Sequence, residues 1–278
     1  MNQSILIKDM QLSDDLTIVQ NLHKQIWKLT DIDVTPTHIY QAVLTNGGKL
    51  LVVFVNETPV GFAFGFYGTT INYGNYFYCH NLGILETFRD DGLGKLLITS
   101  LAQKVRECGI NLIRWTFDPL DSRNANLYIH KLGGISYFFE IDHYKEMSDG
   151  LNKNLPGNRL LVDWELNKGN IVKSETENHL KERNVPSQSL IINQVKINAK
   201  AELVPEPFRF DFSNIDRQRS YFVQIPSNME MLKEHCFSLA KQWYLHIGEA
   251  FSKCFEANLF IADTLFIDKQ FFYEFRSK

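Results

Sequence analysis

Hydrophobic and polar residues follow two different periods along residues 5–166, and the change of period separates predicted strands from predicted helices. Apolar residues at every second position predict strands, whereas apolar residues three or four positions apart predict helices. The first helix follows a capping sequence at 13–15, and its apolar stripe runs from Leu16 to Ile26. The predicted strands are 5–10, 49–56, 60–67, 73–84, 110–117, 136–144 and 159–166. The predicted helices are 16–26, 37–44, 93–108 and 125–132.

Turn-forming and capping residues mark the ends of several of these elements. The sequence Glu57-Thr58-Pro59 predicts the turn of a hairpin between the second and third strands. Gly109 is well placed to cap the end of the helix 93–108. Asn124 is expected to cap the start of the helix 125–132, which Gly133-Gly134 ends. The order is strand, two helices, three antiparallel strands, helix, strand, helix and two strands.

The polar stretch 167–189 predicts a connector between two domains, namely residues 1–166 and an extension at 190–278 that packs on them. Within the extension, 220–226, 259–266 and 270–275 have strand-like patterns. Ser227 with Glu230 resembles a capping box, which would start one long helix with an apolar stripe from Leu232 to Cys254. The pattern therefore predicts a final β-α-β unit.

Composition narrows the class of protein. With 44% hydrophobic residues among 278, the chain can bury a substantial core, and its net charge of −3 gives no general attraction to nucleic acid or anionic membranes. The first residues lack the basic and apolar segments of a signal peptide, and no apolar run approaches the length of a membrane span. Four cysteines without a CxxC spacing indicate reduced thiols and a cytoplasmic protein.

The most informative stretch is 80–95, where a predicted strand passes through a polar turn into a helix. Gly92 and Gly94 flank the helix start, and Arg89 stands beside the turn. Free amides at a helix start, together with the helix dipole, predict a seat for phosphate. The alternative is an ordinary strand–helix connection. The spacing is neither the G-x-G-x-x-G dinucleotide fingerprint nor a P-loop.

Residues 84–97 resemble the acyl-CoA pyrophosphate loop of the GNAT (Gcn5-related N-acetyltransferase) superfamily. The resemblance implies a mixed α/β (α+β) fold with a largely antiparallel central sheet flanked by helices, and acetyl-CoA or another short acyl-CoA as co-substrate. It also implies that the fourth and fifth strands diverge, so that the pantetheine arm binds the fourth strand. The implied CoA-binding residues are Leu82, Gly83, Ile84, Arg89, Asp90, Asp91, Gly92, Leu93, Gly94, Lys95 and Asn124.

Two residues are candidates for proton transfer. Since an imidazole has an ordinary pKa near 6.5, His80 would accept a proton from an ammonium at neutral pH, directly or through water. Tyr128 lies in a stretch that resembles the Asn-x-x-Ala/Leu-x-x-Tyr helix of the superfamily, where the tyrosine would protonate the departing thiolate. The structural alternatives are a core histidine and a packing tyrosine. Cys79 has no visible neighbour that would lower its pKa for nucleophilic attack.

A closer resemblance covers 78–84, 114–120, 124–127 and 149–166. These segments look like one predicted GNAT subfamily with a C-terminal β-α-β portion, some members of which are associated with N-succinylamino acid racemases. Asp118 and Arg159 are candidates to line the acceptor pocket, because an arginine can bind a carboxylate bidentately. The alternative is that Arg159 is a solvated or paired strand residue.

We therefore expect a GNAT-type N-acyltransferase that acts on a small-molecule amine, for example an amino acid. No metal, nucleic acid or membrane partner is expected, and the protein would be a monomer or homodimer. Two alternatives are a CoA-binding module without catalysis and a different thioester reaction, such as decarboxylation or hydrolysis.

Overall fold

A computed structural model of the protein describes residues 4–144, 154–166 and 185–278. These residues form two compact units. Unit 1 contains residues 4–115 and 165–166, and unit 2 contains residues 116–144, 154–164 and 185–278. The domain boundaries predicted at 166 and 190 stay a prediction, since most of the predicted connector (167–184) lies outside the described residues.

Unit 1 is built on a sheet in which the strands lie in the order β1-β2-β3-β4-β5. Neighbouring strands are antiparallel except for β4 and β5, which are parallel. The strands are β1 (Ile5–Asp9), β2 (Lys49–Val55), β3 (Thr58–Thr70), β4 (Gly74–Ile84) and β5 (Leu112–Phe117), whose last two residues are counted with unit 2. The helices are α1 (Thr17–Trp27), α2 (Thr37–Thr45) and α3 (Leu93–Glu107).

The core of unit 1 follows from the predicted apolar stripes. On α1, Val19, Leu22 and Ile26 are buried in one cluster with residues of β2 and β3. The apolar stripe predicted on α3 comprises Leu93, Leu97, Leu101, Val105 and Cys108. The first four are buried, whereas Cys108, which follows the helix, is exposed. Gly109 has a φ of 77°, and the N–H of Ile110 returns to the Val105 carbonyl, so the predicted glycine cap is confirmed.

The turn of the β2–β3 hairpin lies earlier than predicted. Asn56 and Glu57 are its central residues, with φ of 46° and 67°, and Thr58 with Pro59 already belongs to β3. Two successive positive φ values characterise the two-residue turn whose twist matches that of antiparallel strands. The predicted turn at 57–59 is therefore wrong, because this twist match outweighs the turn preference of proline.

Unit 2 contains a sheet segment in the order β7-β6-β11-β12-β10 and a separate small hairpin, β8–β9, which was not predicted. Its strands are β6 (Ile135–Glu140), β7 (Arg159–Glu165), β8 (Val195–Ile197), β9 (Leu203–Pro205), β10 (Tyr221–Ile225), β11 (Leu259–Ile267) and β12 (Gln270–Ser277). Its helices are α4 (Ser122–Ala125), a π-helix (Asn126–Lys131), α5 (Met229–His235) and α6 (Phe237–Glu256). The described residues confirm the mixed α/β class with a largely antiparallel sheet.

The long helix predicted after Ser227 is two helices. Cys236 separates α5 from α6 with φ of −148° and ψ of 69°, which no α-helix accommodates. Asn228 is the N-cap of α5, since its side chain accepts from the N–H of Met231. The predicted capping box at Ser227 is therefore wrong, because the asparagine side chain one position later caps the helix through the N–H of Met231 instead of that of Glu230.

We expect Gly61→Ala to destabilise the protein by about 1–3 kcal/mol, because a Cβ at this position would lie 2.6 Å from the Gly83 carbonyl oxygen. Gly109→Ala is the matched control: its Cβ meets open space, and only the φ of 77° costs about 1 kcal/mol. Urea unfolding measures both. A smaller decrease in the free energy of unfolding for Gly61→Ala than for Gly109→Ala would contradict the close approach of β3 and β4.

Candidate functional site

The predicted phosphate turn joins β4 to α3. After Ile84 the chain makes one turn of 3₁₀ helix at Glu86–Phe88 and enters α3 through Gly92. Gly92 has a φ of 77°, which favours glycine, and no side chain caps the helix. The first amides of α3 thus have no capping side chain, and the positive end of the helix dipole lies at this turn.

The side chains of the turn carry mixed charge. Asp90 and Asp91 are exposed, while Arg89 and Lys95 are half-buried. Arg89 donates from Nε to the carbonyl oxygen of Ile84 at 3.3 Å, which holds its side chain along the turn. With Glu86, the turn has three acidic and two basic residues. Attraction for an anion must therefore come from the backbone amides and the placement of the guanidinium rather than from net charge.

Strand β4 diverges from β5 before the turn. Among the described residues, the two strands pair through only two residue pairs, Phe77 with Ile113 and Tyr78 with Arg114. On its other edge, β4 continues to pair with β3 as far as Ile84. The edge of 79–84 that faces away from β3 therefore has no strand partner among the described residues, and its backbone groups are available for an added strand.

The predicted binding positions 82–84 lie on this open stretch. Gly83 packs beneath α1, where a Cβ would come within 2.6 Å of Trp27 Cη2 and 2.8 Å of Ile26 Cγ2. Leu82 is half-buried and Ile84 is buried. Glycine at 83 is thus required by the packing of α1 against the sheet, a constraint that is independent of any ligand.

His80 is the extra residue of a β-bulge. The register passes from Phe64 opposite Asn81 to Gly65 opposite Cys79, which leaves His80 without a residue opposite. His80 is an exposed residue, yet the rings of Phe64 and Phe66 have centroids 6.2 Å from that of its imidazole. Burial against these rings lowers the pKa of His80 from its ordinary value, so the ring is neutral at pH 7.

The two neighbours of His80 have different surroundings. Cys79 is buried, and this burial raises the pKa of its thiol to about 12, which argues against a nucleophilic role. The Oδ1 atom of Asn81 is buried without a hydrogen-bond partner among the described residues. Asn81 was not among the predicted site residues, although a polar residue directly after His80 in a largely apolar strand was a visible signal.

In unit 2, Tyr244 brings the two predicted acceptor residues together. Asp118 accepts a hydrogen bond from the Tyr244 hydroxyl and lies 3.7 Å from Lys233 Nζ. Burial and the negative charge of Asp118 raise the pKa of Tyr244, whereas the positive charge of Arg159 opposes this shift. The guanidinium of Arg159 also lies 4.9 Å from the Tyr144 ring centroid. No motif or spacing in the sequence indicated Tyr244 or Lys233.

Asn124 was predicted to cap the following helix, but it does not. Asp121 is the N-cap, and its carboxylate accepts from both the backbone N–H and the side-chain amide of Asn124, at 2.9 and 2.8 Å. Burial raises the pKa of Asp121. The carboxylate is the better cap, because its two oxygens accept both bonds at once and the first helical turn then starts at Ser122.

Tyr128 lies in the middle of the π-helix and is 6% exposed. Its ring contacts Phe117 edge-on, with 5.5 Å between centroids. π-Helical turns are rare and occur frequently at functional sites, because the wider turn displaces side chains from ordinary helical positions. The predicted role of Tyr128 as an acid stays a prediction.

Two further features concern ligand classes. The described residues contain no group of three or more histidine, cysteine, aspartate or glutamate residues arranged to hold a metal ion. Within residues 4–144, 154–166 and 185–278, none of the helices is long and apolar enough to span a membrane.

Comparison with known protein families gives a match over part of the chain. Residues 16–133 match the acetyltransferase (GNAT) family. No curated protein matches the chain. Several solved structures are similar in fold. A GNAT family acetyltransferase from Elizabethkingia anophelis with acetyl-CoA bound is 15% identical, with a TM-score of 0.44, 58% of this chain covered and 98% of that one.

Two other solved structures show a comparable level of similarity. The ribosomal-protein-S18-alanine N-acetyltransferase from Escherichia coli is 12% identical, with a TM-score of 0.46, and covers 59% of this chain and 94% of its own. An acetyltransferase of the GNAT family from Streptococcus pneumoniae is 14% identical, with a TM-score of 0.47, and covers 58% and 98%.

We expect the stability of the protein to fall as the pH decreases from about 6.5 towards 4. His23, which lies in the core beneath β3, has its pKa lowered to about 4 by burial and by repulsion from His80. A histidine with a depressed pKa favours the folded state at pH values above its unfolded-state pKa of about 6.5. This contribution of about 3 kcal/mol to the free energy of unfolding is lost as the pH falls from 6.5 through 4.

Urea unfolding of the wild type and of His23→Gln, at pH 7 and pH 5, measures this contribution. Glutamine retains an acceptor for the N–H of Thr35, to which His23 Nδ1 is hydrogen-bonded at 3.3 Å, but does not titrate. The variant should lose part of the pH dependence. An identical pH dependence in both proteins would contradict the assignment.

Proposed function

Because residues 16–133 match the acetyltransferase (GNAT) family, we propose that the protein is an acyl-CoA-dependent N-acyltransferase. It moves an acetyl or other short acyl group, such as succinyl, from coenzyme A to the amine of a small molecule, for example an amino acid. Transfer takes place directly, with both substrates bound at once.

The observation that carries this proposal is the open edge of β4, which leads directly into the glycine turn and the start of α3. Pantetheine contains two amide groups at the spacing of a short peptide, so it binds as an added strand along 79–84. The diphosphate that follows then reaches the amides at 92–95, where the helix dipole favours negative charge.

We assign the two proton transfers to His80 of unit 1 and, from its resemblance to the superfamily helix, to Tyr128 of unit 2. The neutral imidazole of His80 takes a proton from the acceptor ammonium and passes it to solvent. The free amine nitrogen attacks the thioester carbon and forms the C–N bond. The C–S bond then breaks, and Tyr128 gives its phenolic proton to the departing sulfur. The tyrosinate regains a proton from the former amine nitrogen through solvent, so the products are an amide and coenzyme A.

Two cations of unit 2 support the choice of acceptor class. The guanidinium of Arg159 lies beside the Tyr144 ring, and Lys233 lies beside the Tyr244 ring and next to Asp118. A carboxylate, either on an amino-acid acceptor or on a succinyl group, matches these cations. An acidic pocket residue such as Asp118 would in turn hold the ammonium of the acceptor.

Incubation with a panel of acyl-CoA thioesters and amines, followed by mass analysis of the products, tests the proposal. Acylated amine together with free coenzyme A would support N-acyl transfer. Free acid with coenzyme A would indicate hydrolysis, and bound but unchanged thioester would indicate a CoA-binding module. Either of the last two results, obtained across the panel, would overturn the proposal.

We expect His80→Ala to lower turnover about 100-fold or more at pH 7, with the dissociation constant for CoA changed less than about twofold. In the wild type, turnover should fall as the pH decreases through the lowered pKa of His80, because the protonated ring cannot accept a proton. His38→Ala, at an exposed position on α2, is the control and should keep full turnover. Survival of His80→Ala turnover would show that another group takes the proton.

We expect Arg89→Gln to raise the dissociation constant for CoA about tenfold, since it removes one charge-assisted contact to the diphosphate. Arg106→Gln makes the same change of charge at the exposed far end of α3 and should leave the constant unchanged. Calorimetric titration measures both variants. An equal loss of CoA affinity in both variants would mean that the effect comes from the overall charge of the protein rather than from the turn.

A further inference from the structure

The segment that carries Asn124 and Tyr128 has little stability of its own. It consists of four residues of α-helix followed by six of π-helix, with a loop at 118–121 before them. Helical turns this short are marginal without tertiary contacts, and the π geometry adds poorer hydrogen bonding. The position of this segment therefore depends on what it is attached to.

Before Asn124, two tyrosine hydroxyls from distant parts of unit 2 hold the loop. Tyr273 of β12 donates to the carbonyl oxygen of Pro119 at 2.7 Å, and Tyr244 of α6 donates to Asp118. Both tyrosines are almost completely buried. Burial raises the pKa of each hydroxyl, so both keep the protons that make these bonds at neutral pH.

A third contact fixes the start of α4. The hydroxyl of Ser122 donates to the carbonyl oxygen of Ser227 at 2.7 Å, just before α5. Arg123 and Glu230 form a longer ion pair at 3.7 Å, but both side chains are about half exposed, so this pair contributes little. The buried tyrosine contacts are the stronger constraint.

After Tyr128, a hydrogen-bond contact between two side chains holds the end of the π-helix. His130 Nδ1 lies 2.9 Å from Asp263 Oδ1 in β11, and Asp263 is 5% exposed. The register of β11 shifts between Ile261 and Asp263, which is the kind of bulge that redirects a side chain. The N–H of Thr264 also donates to Asp263, at 2.8 Å, and so fixes its carboxylate.

We propose that Tyr244, Tyr273 and Asp263 are positioning residues for the segment 118–131, so that the C-terminal part of the chain is required for acyl transfer. The inference rests on the proposed function of Tyr128 as the acid. The contacts lie on both sides of Tyr128 along the chain, and each comes from a different element, so together they restrict both displacement and rotation. A displacement of about 1 Å at an acid can cost about 100-fold in rate.

Tyr273→Phe and Asp263→Asn test the proposal in the full-length protein. Each removes or weakens one contact while keeping the shape of the side chain. Tyr221→Phe is the matched control, because Tyr221 is also a buried tyrosine of unit 2 whose hydroxyl accepts one hydrogen bond, from the Asp216 N–H at 2.8 Å. That bond does not involve residues 118–131. Its loss should therefore lower the stability of the protein without changing the position of this segment.

Three quantities are measured for each variant: kcat, KM for the acyl-CoA, and hydrogen exchange of peptides from 118–131. We expect Tyr273→Phe and Asp263→Asn to lower kcat at least tenfold, to change KM less than about twofold, and to speed exchange in this segment. Tyr221→Phe should keep kcat and leave exchange in the segment unchanged. If one variant does not fold, the other still provides the comparison.

The proposal is overturned if kcat is unchanged in the folded variants, if exchange in 118–131 is unchanged, or if Tyr221→Phe lowers kcat equally. Failure of the proposed function is a separate result. A wild-type protein that binds CoA but acylates no amine would refute acyl transfer and the catalytic part of this inference. Faster exchange in the variants would then support the anchoring alone.

Discussion

The divergence of β4 from β5 is the constraint on which the candidate site depends. Parallel strands normally satisfy each other's amides along their whole length. Here the pairing ends after two residues, and the next six residues of β4 keep one edge without a strand partner in the described parts of the chain. Such an edge is costly unless water or a ligand completes it. The glycine turn and the start of α3 follow immediately, so donors and acceptors for an extended ligand form one continuous path.

The sheet around this edge is fixed by packing that leaves little room for change. Gly61 and Gly83 lie where a Cβ would strike backbone or a ring, so β3, β4 and α1 approach more closely than side chains would allow. The bulge at His80 interrupts this tight arrangement at one position. The bulge places the imidazole of His80 against aromatic rings. Desolvation there lowers the pKa of the imidazole, so it is neutral at pH 7. A rigid sheet with one displaced residue is a suitable frame for a proton acceptor.

Unit 2 depends on buried polar contacts rather than on apolar packing alone. Tyr244, Tyr273 and Asp263 each hold a partner far away in sequence, and each is almost completely buried. Buried polar groups are tolerated only when they are satisfied, and satisfied groups allow a single arrangement. The segment with Asn124 and Tyr128 therefore takes its position from residues more than a hundred positions later in the chain.

The sequence by itself determined the mixed α/β class, most element bounds of residues 5–166 and the strand–turn–helix at 80–95. These features depend on local periodicity and on glycine, which act over a few residues. Only the tertiary structure decided the bulge at His80, the helix break at Cys236, the cap at Asp121 and the partnership of Asp118 with Tyr244. Each of these results from a competition between neighbouring caps or from a contact between distant residues, and neither leaves a periodic signal in the chain.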